Sequence, residues 1–404
     1  MKKEELNPKL QKEFKKDLEC GIEKGLVPEY KNTWFVISPP PPKKIDFQLD
    51  LKALQAANKV LLKLTPLSEM SNLDKLLSYL FIKREALNSS RMEGTWSTME
   101  LLLTPSSSKI EEEKSDKESI LSYANILINH MDSILLKKFK FDHKLIKNIH
   151  HEVMRKAPTY QSVPGKYREK TVASEYVFIG GRKVENSVFN PTPPHYVKES
   201  INKLLNWLTD ENFILQSEAS SGMPFLVRMV LCHSNFEAIH PFKDGNGRVG
   251  RILLSLHMMS EGHSPLFLSG FIEANKSEYI KALEESQKKL NHAPLVTFLS
   301  DAVVSSFEEL KITKTALLDI QEKWNLRIKL RKGSAAEAIL RKILEHPIFT
   351  ANQAVEWLEL SKPAVYRGID QLVQAGIIRE RTGSERFRLF AAEEVIEIIS
   401  RDYD

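Results

Sequence analysis

The sequence lacks the features that mark secreted, membrane or disulfide-bonded proteins. Only two cysteines occur in 404 residues, Cys20 and Cys232, and neither has a pairing pattern or ligand-like neighbours. This excludes a disulfide framework and favours a reduced compartment. No apolar run approaches the roughly 20 residues that a membrane-spanning helix needs, and the N-terminus carries no apolar signal segment. We therefore expect a cytoplasmic protein without a membrane partner.

A strong charge imbalance is also missing. The net charge of +5 is small for this length and does not by itself indicate nucleic-acid binding. Hydrophobic and charged contents of 42% and 27% are typical of globular proteins, and the length allows two or three domains. The apolar periodicity predicts a mainly α-helical chain. The expected helices of its central part cover residues 117–136, 142–156, 194–210, 224–238 and 247–261.

The most informative segment runs from His240 to Arg251, with the sequence HPFKDGNGRVGR. Its three glycines leave backbone N–H groups free to form a concave anion-binding nest. The segment leads into a helical pattern, so the nest lies at a helix N-terminus, where the macrodipole favours phosphate. Arg248 and Arg251 are three residues apart and share one helical face, where together they can clamp a polyphosphate. Any one of these residues alone is more often a turn glycine or a loop histidine.

This segment closely resembles the motif of the Fic family, H-P-F-x-[D/E]-G-N-G-R-x-x-R, with every specified position filled. The resemblance implies a helical core with a β-hairpin flap. It also implies a protein adenylyltransferase that moves AMP from ATP to a Ser, Thr or Tyr hydroxyl of a protein, including itself. Doc-type members that act as kinases carry lysine at the second motif glycine. This chain keeps Gly247, which favours nucleotidyl transfer over phosphoryl transfer.

The resemblance assigns roles that agree with the chemistry of each residue type. A base that is neutral near pH 7 is needed to activate a hydroxyl, and His240 is the candidate. Asp244 is the expected ligand of Mg²⁺, which commonly uses one or two carboxylates plus phosphate oxygens. Arg248 is expected on the β-phosphate and Arg251 nearer the γ-phosphate. The remaining expected nucleotide-binding residues of the motif and its lead-in are Asn235, Gly245, Asn246 and Gly247.

A second motif, Ser89-Ser-Arg-Met-Glu-Gly94, ends a helical pattern of about residues 73–94 and resembles the family's inhibitory helix. Ser89 and Glu93 are four residues apart and share a face. A carboxylate in the last helical turn opposes the macrodipole, so Glu93 needs a cationic partner. The resemblance names Arg251, and that pairing would occupy the γ-phosphate site and hold activity low. The alternative is a solvated glutamate on a charged helix.

A third segment, 165–168 followed by 177–181, has the alternating β-branched and aromatic residues of a hairpin around a Gly-Gly pair. In the family this region is the flap, so we expect residues 171–185 to dock the target main chain by strand addition. Ile179 and Gly180 would lie nearest the nucleotide. An ordinary surface hairpin is the alternative.

Downstream, Tyr279 lies in a segment that resembles the adenosine side of the family's site. Ile280 follows it where members often have a second tyrosine. A position in the core or at a rim is therefore the alternative for Tyr279.

The chain is expected to divide into four parts: an N-terminal helical extension over 1–115, a catalytic core over 116–295, a connector helix over 296–332 and a winged helix-turn-helix over 333–404. The last part has helical runs at 335–345, 350–359 and 361–375, followed by a hairpin turning at 382–384. It holds nine Lys and Arg against twelve Asp and Glu. Phosphate contacts supply most non-specific DNA affinity, so DNA is a weakly supported partner and protein docking is an equal candidate.

Three functions stay open at this level: an AMP transferase restrained by Glu93, a nucleotide-sensing transcriptional regulator, and a docking scaffold that uses the C-terminal module. A homodimer is a further candidate assembly. The complete motif, with its base and both arginines, favours the first function.

Overall fold

A computed structural model describes residues 1–11, 33–105, 111–157, 160–170, 172–181, 186–219, 223–383 and 388–401, without the side chains of 111–115 and 217–219. The chain is mainly α-helical, as predicted. Between residues 51 and 239 the described α-helices are α1 (Leu51–Leu61), α2 (Asn72–Met92), α3 (Met99–Leu103), α4 (Glu111–Leu135), α5 (His143–Met154), α6 (Pro194–Leu208), α7 (Glu211–Ala219) and α8 (Phe225–Ile239). The following ones are α9 (Asn246–Ser260), α10 (Ser269–Ala274), α11 (Lys276–Lys289) and α12 (Ala293–Arg327).

Side-chain caps define several helix starts. Asp50 accepts hydrogen bonds from the backbone N–H groups of Lys52 and Ala53 at the start of α1. Ser71 and Asp74 form a reciprocal capping box at the start of α2. Such caps satisfy donors that have no partner within the helix, and each contributes about 1 kcal/mol. The polar residues that precede the apolar periodicity therefore set where these helices begin.

Helices α8 and α9 form the centre of the core. Every residue of α8 from Leu226 to Ile239 is buried, and so is α9 from Arg248 to Met259. Helix α9 packs against α8, α4, α5 and α2, while α12 packs against α1 and α11. A helix that is covered on all sides belongs in a core. The loop between α8 and α9 is therefore held from both ends by rigid elements.

The expected inhibitory helix is α2. It ends at Met92, Glu93 is its C-cap residue, and Gly94 has a φ of +85°. Glycine adopts this left-handed conformation without steric cost, which makes it a common residue after a helix end. The carboxylate of Glu93 is consequently presented where the helix stops.

The flap region is less regular than the hairpin that the sequence predicts. Ile179 and Phe189 form an isolated antiparallel bridge, and neither belongs to a named strand. Residues 171 and 182–185 of the expected flap lie outside the described residues. Ile179 packs beside a small apolar cluster that includes Leu6, Leu10 and Phe189. The base of the flap thus rests on the N-terminal residues.

The C-terminal module, over which a winged helix is predicted, contains helices and a small antiparallel sheet. Its elements are α13 (Ala335–Lys342), β1 (Ile348–Thr350), α14 (Ala351–Leu358), α15 (Lys362–Gln374), β2 (Arg379–Glu380), β3 (Leu389–Ala391) and α16 (Glu393–Ile399). The antiparallel sheet has the order β1-β3-β2, with Phe349 paired to Phe390 and Arg379 to Ala391. Residue 384 of the predicted turn, and residues 385–387 after it, lie outside the described part.

This module contacts the rest of the chain through ion pairs and hydrogen bonds. Arg381 pairs with Glu100 of α3, and within the module it also pairs with Glu393. The Trp324 indole and Arg327 of α12 both donate to Glu394. Among the described helices, none is long and apolar enough to cross a membrane. The domain limits given above stay predictions.

Candidate active site

The loop from His240 to Gly245 reverses the chain between α8 and α9. His240 caps α8 in the left-handed region, with φ 50° and ψ 64°, and its N–H donates to the Phe236 carbonyl at 2.9 Å. This conformation is uncommon for a residue with a side chain. Gly245, with φ +76°, then begins α9. The reversal places the imidazole of His240 beside the first turn of α9.

The side chain of Asn246 stabilises the loop through two hydrogen bonds. Its side-chain oxygen accepts from the Phe242 N–H at 2.9 Å, and its amide donates to the Phe242 carbonyl at 2.9 Å. Phe242 is fully buried and stacks on His150 at 3.7 Å between ring centroids. Asn246 is predicted to cradle phosphate, yet its amide already makes these two hydrogen bonds to the loop. In this structure it holds the loop closed, and a nucleotide contact stays a prediction.

His240 is suited to remain neutral. Burial is the largest cause that lowers its pKa to about 3, and the neighbouring Arg168 charge acts in the same direction. The Glu93 charge and a hydrogen bond with the Glu237 backbone oppose the shift. The imidazole makes no hydrogen bond to a described side chain. An unprotonated ring nitrogen at this position can accept a proton. The role of His240 as the base stays a prediction.

Arg251 is engaged by the end of the inhibitory helix. Its Nε donates to Ser89 Oγ at 2.8 Å, and its Nη2 donates to the Ser89 carbonyl at 2.9 Å and to Glu93 Oε1 at 2.6 Å. Burial acts to raise the pKa of Glu93, but the charge and hydrogen bond of Arg251 outweigh it and lower that pKa. Both groups are therefore ionised at neutral pH, and the pairing predicted from the two motifs is present in the structure.

Arg248 contrasts with Arg251 because it has no acidic hydrogen-bond partner among the described residues. Its side chain is buried, its Nη2 lies 3.1 Å from Met154 Sδ, and its Nε has no hydrogen-bond partner. Burial lowers the pKa of Arg248, while the charges of Glu93 and Asp244 oppose the shift without a hydrogen bond to its guanidinium. A buried guanidinium with few hydrogen-bond partners is costly. An anionic ligand at the start of α9 would reduce that cost.

Two glycines bring charged groups close to the backbone here. A Cβ at Gly247 would collide with the Glu93 carboxylate and the Arg251 guanidinium. A Cβ at Gly245 would fall 2.5 Å from Met154 Sδ, and this position also has positive φ. Only glycine allows the first turn of α9 to come so near to the ion pair.

Asp244 offers a carboxylate at the same place. Its Oδ1 accepts from the Gly245 N–H at 2.6 Å, and its backbone carbonyl faces His150 Nε2 at 3.1 Å. The described residues contain no cluster of three or more acidic, histidine or cysteine side chains that could enclose a metal ion. One carboxylate fits a Mg²⁺ that is held jointly with phosphate oxygens, which is the usual arrangement for this ion.

A cavity of about 350 Å³ lies beside α8, lined on one side by Asn235 and Gln287 and on the other by Pro39–Pro42 and Phe47. We call it the lateral cavity. The Asn235 amide donates to Ser38 Oγ at 2.8 Å and to the Pro39 carbonyl at 2.6 Å. This leaves Asn235 Oδ1 buried without a partner, and Gln287 Nε2 is in the same state. Both residues line the lateral cavity, and each has one buried polar atom without a hydrogen-bond partner.

The three other residues predicted to contact the nucleotide, Tyr279, Ile179 and Gly180, do not line the lateral cavity. Tyr279 is buried, and its hydroxyl is 2.8 Å from His233 Nε2. Gly180 has a φ of +75°, and a Cβ there would collide with Val188. Ile179 and Gly180 belong to the flap region described above. For these three residues nucleotide contact stays a prediction.

Several residues at the site carry no role in the sequence prediction. Glu237 is buried with a free Oε1, and burial raises its pKa to about 7. Arg168 donates hydrogen bonds to the loop backbone, Met154 contacts the Arg248 guanidinium, and Gln287 lines the lateral cavity. Glu237 and Arg168 lie within segments that resemble the family. For Met154 and Gln287, no pattern in the sequence identifies the position.

Comparison with known proteins agrees with this geometry. The Fic/DOC family model matches residues 140–258, and the Fic/DOC family N-terminal model matches residues 51–129. These two segments of the chain therefore belong to the Fic/DOC family. The two ranges contain the loop from His240 to Arg251 and the helix that ends at Glu93.

A protein of Aquifex aeolicus (strain VF5) named probable protein adenylyltransferase is 35% identical over 127 residues, 31% of this chain and 32% of that protein. Protein adenylyltransferase fic-1 of Caenorhabditis briggsae is 38% identical over 80 residues, 20% of this chain and 14% of that protein. The chain thus spans about a third or less of these relatives.

The crystal structure of a Fic family protein from Desulfovibrio desulfuricans G20 aligns with a TM-score of 0.51 at 18% identity. The alignment covers 88% of this chain and 98% of that one. At this identity the likeness concerns the fold alone.

Proposed function

We propose that this protein is an adenylyltransferase that transfers AMP from ATP to a hydroxyl group of a protein. The observation that carries the proposal is the buried guanidinium of Arg248, which has no acidic hydrogen-bond partner, at the glycine-rich start of α9 that follows the loop of the neutral His240. A cation with unused donors and an unprotonated base fit a polyphosphate and an incoming hydroxyl. The names of the two adenylyltransferase relatives support the same activity.

In the proposed mechanism, His240 takes the proton of a Ser, Thr or Tyr hydroxyl. Nε2 is the receiving nitrogen because Nδ1 is buried. The hydroxyl oxygen forms a bond to the α-phosphorus of ATP, the bond from that phosphorus to the bridging oxygen breaks, and pyrophosphate leaves. Mg²⁺ held by Asp244 would neutralise phosphate charge. Arg248 and the N–H groups at the start of α9 stabilise the polyphosphate, since donors placed in advance need no rearrangement.

The lateral cavity is the proposed site of the base. Adenine presents an amino donor next to a ring-nitrogen acceptor. The free Asn235 Oδ1 and the free Gln287 Nε2 offer the complementary acceptor and donor. The Pro39 carbonyl cannot donate, so it fixes the orientation of the Asn235 amide with its nitrogen toward Pro39 and its oxygen free. A base with a carbonyl where adenine has its amino group would place two acceptors together at Asn235.

We further propose that the Glu93–Arg251 pair holds activity low. With its Nε and Nη2 bonded to Ser89 and Glu93, Arg251 is not free to receive the γ-phosphate. The Glu93 carboxylate also stands over Gly247, where it would repel the phosphates. The proposed target is a protein segment docked on the flap of residues 171–185, or a second copy of this chain. A homodimer, the cytoplasmic setting and DNA contact by the C-terminal module stay predictions.

The test compares purified wild type with Glu93→Gly and Glu93→Gln in ATP and Mg²⁺, using mass spectrometry to detect AMP adducts on the protein. Both variants remove the charge that pairs with Arg251, so we expect labelling to rise at least tenfold in each. Glu93→Asp retains the charge and serves as the matched control that stays near the wild-type level. Absence of any adduct in both variants would overturn the proposed activity. Equal labelling in all four proteins would overturn the inhibition alone.

A further inference from the structure

The guanidinium of Arg168 is directed at the backbone of the catalytic loop. Arg168 is 1% exposed. Its Nε and Nη2 donate to the His240 carbonyl at 3.0 and 2.6 Å, and Nη2 also donates to the Ile239 carbonyl at 3.1 Å. Its backbone N–H donates to the Pro241 carbonyl at 2.9 Å. Three consecutive carbonyls around the proposed base are thus held by one residue.

The same side chain reaches two further segments. Nη2 donates to the Thr192 carbonyl at 2.8 Å and Nη1 to the Glu175 carbonyl at 3.2 Å. Glu175 comes just before the Ile179 bridge of the flap. All five hydrogen bonds of the guanidinium go to backbone oxygens. Arg168 therefore connects three segments by hydrogen bonds: the catalytic loop, the start of the flap and the segment before α6.

Physical considerations explain why a buried cation belongs here. The last carbonyls of α8 have no partners within the helix and carry the negative end of its dipole. His240 is in a left-handed conformation, which costs energy and persists only where the surroundings enforce it. Hydrogen bonds from a rigid planar cation to the His240 carbonyl supply that enforcement.

The imidazole makes no hydrogen bond to a described side chain, and its hydrogen bond with the Glu237 backbone is local to the end of α8. In most base-assisted sites the side chain of a third group orients the base. Here the direction of the imidazole depends on the backbone at the end of α8, so the positioning task falls on whatever holds that backbone.

We propose that Arg168 is a positioning residue that fixes the backbone of His240 and thereby aims its imidazole at the reacting hydroxyl. The inference rests on the proposed transferase activity for its kinetic consequences. The structural claim about the imidazole can be tested without activity.

The variants are Arg168→Lys, which keeps a cation but loses the planar set of donors, and Arg168→Met, which loses both. Each is made in the full chain in the Glu93→Gly background. We expect kcat to fall on the order of 100-fold in both, because a displacement of about 1 Å has this effect. The KM for ATP should change less than threefold, since the Arg168 guanidinium donates all its hydrogen bonds to backbone carbonyls and none to Arg248 or Arg251. Leu204→Ala, a buried substitution in α6, controls for general destabilisation and should leave kcat within threefold.

A second readout uses the His240 Cε1–H signal in NMR spectra of the nucleotide-free chain. Both variants should shift and broaden this signal relative to Leu204→Ala. In pH titration, Arg168→Met should raise the pKa of His240 more than Arg168→Lys, because only Met removes the positive charge. Glu93, the other charged side chain near the imidazole, is absent from this background.

Two results would overturn the proposal: a folded Arg168→Met protein with an unchanged His240 signal, or a kcat loss that Leu204→Ala reproduces. If Glu93→Gly itself transfers no AMP, the proposed function fails, and the NMR comparison still decides whether Arg168 positions the imidazole.

Discussion

At the scale of single residues, the side chain proposed to take the proton and the two positively charged side chains lie on different elements. His240 stands at the end of α8 with a pKa lowered to about 3 by burial, while Arg248 and Arg251 lie on the next helix. A neutral base can coexist with two cations because it adds no charge to repel them. This division predicts that removing the base affects transfer and leaves binding intact.

We therefore expect His240→Ala in the Glu93→Gly background to lose at least 100-fold in AMP transfer while its affinity for ATP stays within threefold. Fluorescence titration with a labelled ATP measures binding, and mass spectrometry measures transfer. His130→Ala, in α4 and outside the loop, is the control and should retain both. Transfer at the parent rate by His240→Ala would remove the imidazole from the mechanism.

At the scale of elements, α2 is fastened along its length. Arg84 pairs with Glu309 of α12 at 2.7 Å, and their side chains are 8% and 18% exposed. Arg84 also donates to the Arg401 carbonyl at the end of the C-terminal module. Glu85, one residue on, accepts hydrogen bonds from the Ser269 N–H and hydroxyl. These contacts hold the helix that presents Glu93.

Removing one partner of the Arg84–Glu309 pair should be costly because the other charge stays buried. We expect Glu309→Ala to lower the free energy of unfolding by about 3 kcal/mol. Glu308→Ala is the matched control, since the Glu308–Lys311 pair is exposed and contributes less than about 1 kcal/mol. Urea denaturation followed by circular dichroism measures both. Equal losses in the two variants would contradict the prediction.

Helix positions could be predicted from the sequence because they depend on local periodicity and caps. The prediction of 142–156 corresponds to α5 at 143–154, and that of 247–261 to α9 at 246–260. The flap could not be predicted equally well, because the pairing of Ile179 with Phe189 depends on packing with the distant residues Leu6 and Leu10.

The site shows the same limit. The His240–Arg251 motif and Glu93 could be identified because the residues that define each lie close together in the chain. The contact of Arg168 with His240 spans 72 positions and that of Met154 with Arg248 spans 94. Such contacts form only after the whole core has folded, so local spacing gives no indication of them.

At the scale of the whole molecule, the core contains several neutral histidines. Burial lowers the pKa to about 3 for His233, His240 and His257, and to about 4 for His150 and His292. The unfolded chain protonates such groups near pH 6.5, whereas the folded chain resists it. The unfolded state therefore binds more protons as the pH falls, and stability declines.

We predict that the free energy of unfolding falls between pH 6.5 and pH 4.5. Each of the five histidines contributes up to about 1.4 kcal/mol per pH unit. The buried carboxyls of Glu85 and Glu237 act in the opposite direction, since burial raises their pKa, but they are outnumbered. Urea denaturation at a series of pH values measures the trend. A stability that is constant or rising over this interval would refute it.

Glu93 and Arg251 belong to the same polypeptide chain, and this has one more consequence. The two residues are 158 positions apart in one chain, so the carboxylate reaches the guanidinium at a local concentration set by the fold. Under the proposed inhibition, diluting the protein cannot release it, unlike a restraint supplied by a separate subunit. Release requires a competitor for the guanidinium or a movement of α2, and the ATP concentration needed for activity therefore reflects how firmly α2 is held.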